Sequence, residues 1–107
     1  MEFKDLITTV KVVPFSTLRV ETDIYFEAVV LNDNIGNLTK KLETFFGPPI
    51  EYPKAGLPST HQETVEKLGG IDPGQTLYFW NEGNHAIFAM LWPWQDEKHT
   101  TLKIIKI

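Results

Sequence analysis

The last third of the chain holds three short runs rich in apolar, aromatic and β-branched residues, Thr76 to Asn81, His85 to Trp92 and His99 to Ile107, separated by Gly, Asn, Pro and charged residues. Such runs bounded by turn residues predict three strands, in which neighbouring side chains fall on opposite sides of an extended backbone. The link Glu82-Gly83-Asn84 is short enough for a hairpin, and Pro93 to Lys98 makes a longer, charged connection. An antiparallel meander is therefore expected, and the rest of the chain has to supply whatever covers it.

Upstream, Phe3, Leu6, Ile7, Val10 and Val13 recur at helical spacing, so a helix is expected over 3–13, ended by Pro14. From Leu18 to Val30 the even positions are apolar except for Thr22, which predicts a strand interrupted near Thr22 and Asp23 and strongest over Ile24 to Leu31. Asp33 or Asn34 is placed to cap a helix carrying Ile35, Leu38, Leu42, Phe45 and Phe46 on one side, and Gly47-Pro48-Pro49 stops it. Gly47 to Ser59 holds four prolines and no usable period, so it reads as an ordered surface crossing or a lid. Thr60 and Glu63 form a capping-box pair for a short helix through Val65 and Leu68, closed by Gly69-Gly70. Pro73 and Gly74 take the central places of a type II turn over Asp72 to Gln75. The expected fold class is α+β: one domain over 1–107, with a four-stranded, mainly antiparallel sheet and two or three helices packed on one face.

Hairpin pairing sorts the meander into two faces. Leu77, Phe79, Ala86, Phe88, Met90 and Trp92 make a dry set expected under the helices, and Tyr78, Trp80, His85, Ile87, Ala89 and Leu91 make a mixed set. Extending the sorting upstream assigns Ile24, Phe26, Ala28 and Val30 to the dry side, and Tyr25, Glu27, Val29 and Leu31 to the mixed side. That mixed face is too apolar to be left to water, so a helix, the proline-rich segment, a second copy of the chain or a ligand should cover it. Trp92-Pro93-Trp94 adds a stiff aromatic projection at a strand end, the kind of side chain that anchors binding surfaces. The candidate binding residues are accordingly Tyr25, Glu27, Tyr78, Trp80, His85 and Trp94.

The chemistry-bearing residues point away from catalysis. There are no cysteines, which removes disulfides and thiolate sites and fits a reducing, cytoplasmic setting. His61, His85 and His99 show no metal-ligand spacing, so no metal and no cofactor is expected. Nucleophile and phosphate-loop motifs are lacking. Glu27 and His85, if neighbours on the mixed face, could act as orienting group and base; otherwise Glu27 is a solvated charge guarding an edge strand.

A net charge of −4 with scattered basic residues argues against nucleic-acid binding. Met1 to Asp5 lacks the pattern of a signal peptide, and the longest apolar runs fall far short of the roughly 20 residues that span a bilayer, so no membrane partner is expected. The favoured function is a non-enzymatic interaction module, self-associating through the aromatic sheet face or docking another protein. The alternative is a small-ligand-binding protein or enzyme with a pocket between that face and the 47–59 segment.

Overall fold

A computed structural model describes residues 2–50, 59–67, 69–71, 74–82 and 85–107. Helix α1 (Phe3–Val10) leads into the hairpin β1 (Thr17–Glu21) and β2 (Tyr25–Leu31). Helices α2 (Ile35–Phe46) and α3 (Ser59–Lys67) follow, then the meander β3 (Thr76–Glu82), β4 (His85–Pro93) and β5 (His99–Lys106). The sheet is antiparallel throughout, in the order β1-β2-β5-β4-β3, so the last strand closes the fold between the two hairpins.

The sheet thus has five strands rather than four. The extra strand arises because Thr22, the one polar break in the upstream alternation, is a turn. Its hydroxyl accepts the amides of Ile24 and Tyr25 at 3.3 and 3.0 Å, and its own amide donates to the Tyr25 carbonyl at 2.8 Å. A side chain that satisfies the backbone locally competes with the ladder and reverses the chain.

Helix α1 stops at Val10, three residues short of the expected span, and its Phe3, Leu6, Ile7 and Val10 are all buried. Helix α2 begins without a capping side chain. A 3-10 turn over Asn32–Asn34 leads into it, tied to the sheet where Asn32 donates its amide to the Lys98 carbonyl and accepts the Thr100 hydroxyl at 2.7 Å. Gly47 ends α2 at φ 76°, as its place before two prolines predicts. Helix α3 starts at Ser59, which puts Thr60 inside its first turn rather than at the cap. Gly74 adopts φ 87°, the value a type II turn requires there, while Asp72, Pro73, Gly83, Asn84 and Leu68 lie outside the described residues. So do residues 51–58, and with them the choice between crossing and lid.

Register decides what each face carries. Phe26 pairs with Ile104, Ile104 with Ala89 and Ala89 with Tyr78, so these four share a face. That face, with Ala28, Val30, Leu102, Ile87 and Leu91, packs against Leu6, Val10, Leu38, Leu42 and Phe46 of α1 and α2. The opposite face carries Leu77, Ala86, Phe88 and Met90, which pack on Val65 of α3 with Ile50 and Ile71 alongside. The helices therefore occupy both faces rather than one. The sorting within the β3–β4 hairpin is as its alternation requires, with Phe79 opposite Phe88 and Trp80 opposite Ile87. The join to β2 is reversed: Phe26, Ala28 and Val30 lie with the Tyr78 and Trp80 set, not with Phe88. The cause is β5, which pairs even residues with even on its β2 side but with odd ones on its β4 side. A one-residue change of register exchanges the faces of every residue beyond it.

Candidate functional site

Among the described residues, Val65 of α3 packs with Leu77, Ala86, Phe88 and Met90 on the β3 and β4 half of the second face, with Ile105 of β5 at the margin of that cluster. On the other half, β2 presents Tyr25, Glu27, Val29 and Leu31, and β5 sets Ile105, Lys103, Thr101 and His99 opposite them in turn. Long side chains from neighbouring segments close over this surface. A bulge between Leu18 and Val20 frees Arg19 from regular pairing on the short edge strand β1. Its guanidinium meets the Glu27 carboxylate at 3.2 Å and lies 5.7 Å from the centre of the Trp94 ring. The Trp94 indole donates to the Thr101 hydroxyl at 2.8 Å and stacks on His99 with ring centres 4.7 Å apart. Next to it, the Lys103 ammonium sits 3.7 Å over the ring of Trp92. The outer, benzo part of that ring meets the backbone of Gly69, where an added Cβ would lie 2.5 Å from it.

The loop that carries Trp94 is fixed by Asp96. One of its carboxylate oxygens accepts the amides of Lys98 and His99 at 2.9 and 3.1 Å, and the other meets His99 Nδ1 at 2.5 Å. Those backbone donors, and then the imidazole, hold the Asp96 carboxyl below its ordinary range. Glu97 takes φ 60° to make the turn, and the Trp94 amide closes it onto the His99 carbonyl at 2.8 Å.

Glu27 is satisfied on several sides. Partial burial pushes its carboxyl up, but the Tyr25 hydroxyl, donating at 2.5 Å, and the charges of Arg19 and Lys103 bring the balance below the ordinary value. Burial, and then the bond to Glu27, raise the Tyr25 phenol, which stays neutral as the donor. Burial lowers the Lys103 ammonium, partly offset by Glu27. These residues form a polar network whose charges pair one another, draped over a buried strip of Val29 and Thr101.

Of the six residues singled out in the sequence, Tyr25, Glu27 and Trp94 meet on this surface. Tyr78 and Trp80 do not: they belong to the other face, where Tyr78 is buried beneath α2 with its ring 5.7 Å from that of Phe46. His85 is exposed at the hairpin end, and its register opposite Glu82 puts it on the side away from Glu27. The pairing of Glu27 with His85 as acid-base partners is thus removed by the odd register across β5. Ile50, where the 47–59 segment enters, packs on the α3 side, so it does not face Tyr78 and Trp80.

Arg19, Leu31, Asp96, His99, Thr101 and Lys103 join the site without having been singled out. Asp96 had a legible signal, since an aspartate two or three residues before a strand commonly caps a turn. Arg19 had none, because a bulge depends on the partner strand. Among the described residues no cluster of His, Asp or Glu could hold a metal ion, and no helix is long and apolar enough to cross a membrane. Comparison with protein-family models, with curated proteins and with solved structures finds no match.

Proposed function

We propose that the protein is a non-enzymatic interaction module whose docking surface is the open half of the second sheet face, and that its simplest partner is a second copy of the chain. The observation that carries this reading is Trp94, 38% exposed yet locked by its bond to Thr101, its stack on His99 and the guanidinium beside it. An aromatic side chain fixed before binding loses little entropy on docking, and tryptophan and arginine dominate interface energetics. His99, on which Trp94 stacks, stands opposite Leu31, itself 40% exposed, giving an apolar centre rimmed by Arg19, Glu27 and Asp96. That rim holds both signs of charge. A two-fold pairing of such a surface can set Arg19 of each copy toward the acidic rim of the other.

Two features support docking over chemistry. Among the described residues, the Asp96 and His99 pair makes no hydrogen bond to a hydroxyl that could serve as nucleophile, and the Thr101 hydroxyl accepts from the Trp94 indole. The bulge and the charges on β1 also discourage strand-to-strand pairing at that edge, which directs association to the face. The apolar centre is small, so the dimer is expected to be reversible, with a dissociation constant of about 100 μM. Sedimentation velocity over a concentration series tests this. Wild type should shift from monomer to dimer, and Trp94→Ala should weaken association at least about tenfold. A protein that stays monomeric at about 1 mM, where such a dimer would dominate, overturns the reading.

A further inference from the structure

On the other side of the sheet, a cleft of about 400 Å³ opens between the turn that follows α1 and the flank of α2. Its helical wall is Asn37, Lys40, Lys41 and Thr44, whose spacing of three and four residues places them on one side of α2. The facing wall is Val12, Val13 and Pro14.

That apolar wall is held, not frayed. The amides of Lys11, Val12 and Val13 bond back to the carbonyls of Ile7, Thr9 and Val10, and Val13 is buried beneath. Val12 is consequently fixed outward at 72% exposure, more than any other large apolar side chain among the described residues. On the opposite wall, the described residues place no carboxylate in salt-bridge contact with Lys40 or Lys41. Both lysines line the cleft, in a chain whose net charge is −4. The Thr44 hydroxyl is spent on the Lys40 carbonyl at 2.9 Å, while the Asn37 amide lines the cleft as a further donor.

We propose that this cleft binds a small amphipathic anion, a carboxylate with an aliphatic body. Lys40 and Lys41 hold the carboxylate, and the body lies along Val12 and Pro14. The volume falls in the lower part of the range for small-molecule sites, and the two walls divide by polarity as such a ligand does. Two lysines without a wider basic stripe suit one anionic group better than a polyanion. The site is separate from the docking surface, with the sheet between them, and stands or falls independently of it.

The test is titration of the whole protein with octanoate, and with acetate in parallel, followed by backbone amide shifts. Saturable shifts should centre on Val12, Asn37, Lys41 and Thr44, with octanoate binding at least about tenfold tighter than acetate because its chain adds buried methylenes. The double variant K40E/K41E should weaken octanoate at least about tenfold, and Val12→Ser about threefold, with amide shifts elsewhere confirming that each variant is folded. If acetate matches octanoate, if folded K40E/K41E binds octanoate as wild type does, or if octanoate gives no saturable shift in the cleft, the proposal is overturned.

Discussion

Beneath α1 and α2, the side chains of Phe26, Ala28, Ala89, Leu102 and Ile104 are wholly removed from water, whereas on the reverse of the same β2 and β5 backbone Tyr25, Glu27 and Lys103 remain partly wetted. The first region is covered by whole helices, and its energy is burial. The second is covered by individual long side chains, Arg19, Trp94 and Lys103, held by polar and aromatic contacts. A helix lid closes its face completely, whereas a lid of separate side chains leaves its aromatic groups in reach of a partner.

Truncation separates the two most sharply. Phe26→Ala, under the helices and beside Phe15, should lose about 3–5 kcal/mol in urea unfolding, enough to leave a chain of this size marginal. The same truncation at Trp94 should cost about 1 kcal/mol or less, because the side chain is partly exposed and its removal leaves Thr101 accessible to water. Comparable losses at the two positions would break the contrast.

Gly69→Ala probes the boundary between the covered and open halves of the second face. Gly69 has φ 115°, and the new methyl would overlap the Trp92 ring, so strain and overpacking together should cost about 2–4 kcal/mol by thermal unfolding. Because the Lys103 ammonium sits over that ring, its resonances should move with it. A silent substitution would mean that Trp92 is not clamped there.

Alkaline pH reads the helix-covered face. Burial, and then the charge of Glu43, push the Tyr78 phenol up to about 12. The unfolded chain ionises first, near pH 10, so this contribution is complete below pH 10 and is lost as pH rises toward 12. Its size is on the order of 2 kcal/mol. Tyr78→Phe should flatten that part of the stability profile, and an unchanged slope would show the phenol to be wetter than its packing implies.

Much of this was legible residue by residue. The stripe Leu38, Leu42 and Phe46 gave α2, Gly47 gave its end, and alternation sorted the β3–β4 hairpin because both faces of a hairpin follow from its own turn. Trp94 and Glu27 were legible as candidates by residue type. Their company was not: Tyr78 and Trp80 belong to the helix side, and Arg19 and His99 arrive through a bulge and a loop.

What the sequence by itself determined is therefore the existence and type of most elements and the faces of the β3–β4 hairpin, within an α+β fold with a C-terminal meander, whereas the turn at Thr22 that makes β1 and β2 a hairpin and the ends of α1 and α3 were not legible in it. The tertiary structure alone decided which faces join, because β5 enters between two hairpins and its register with each is set by packing across the whole sheet. A shift of one residue there exchanges core for surface. That choice put the helices over Tyr78 and left Trp94 facing outward.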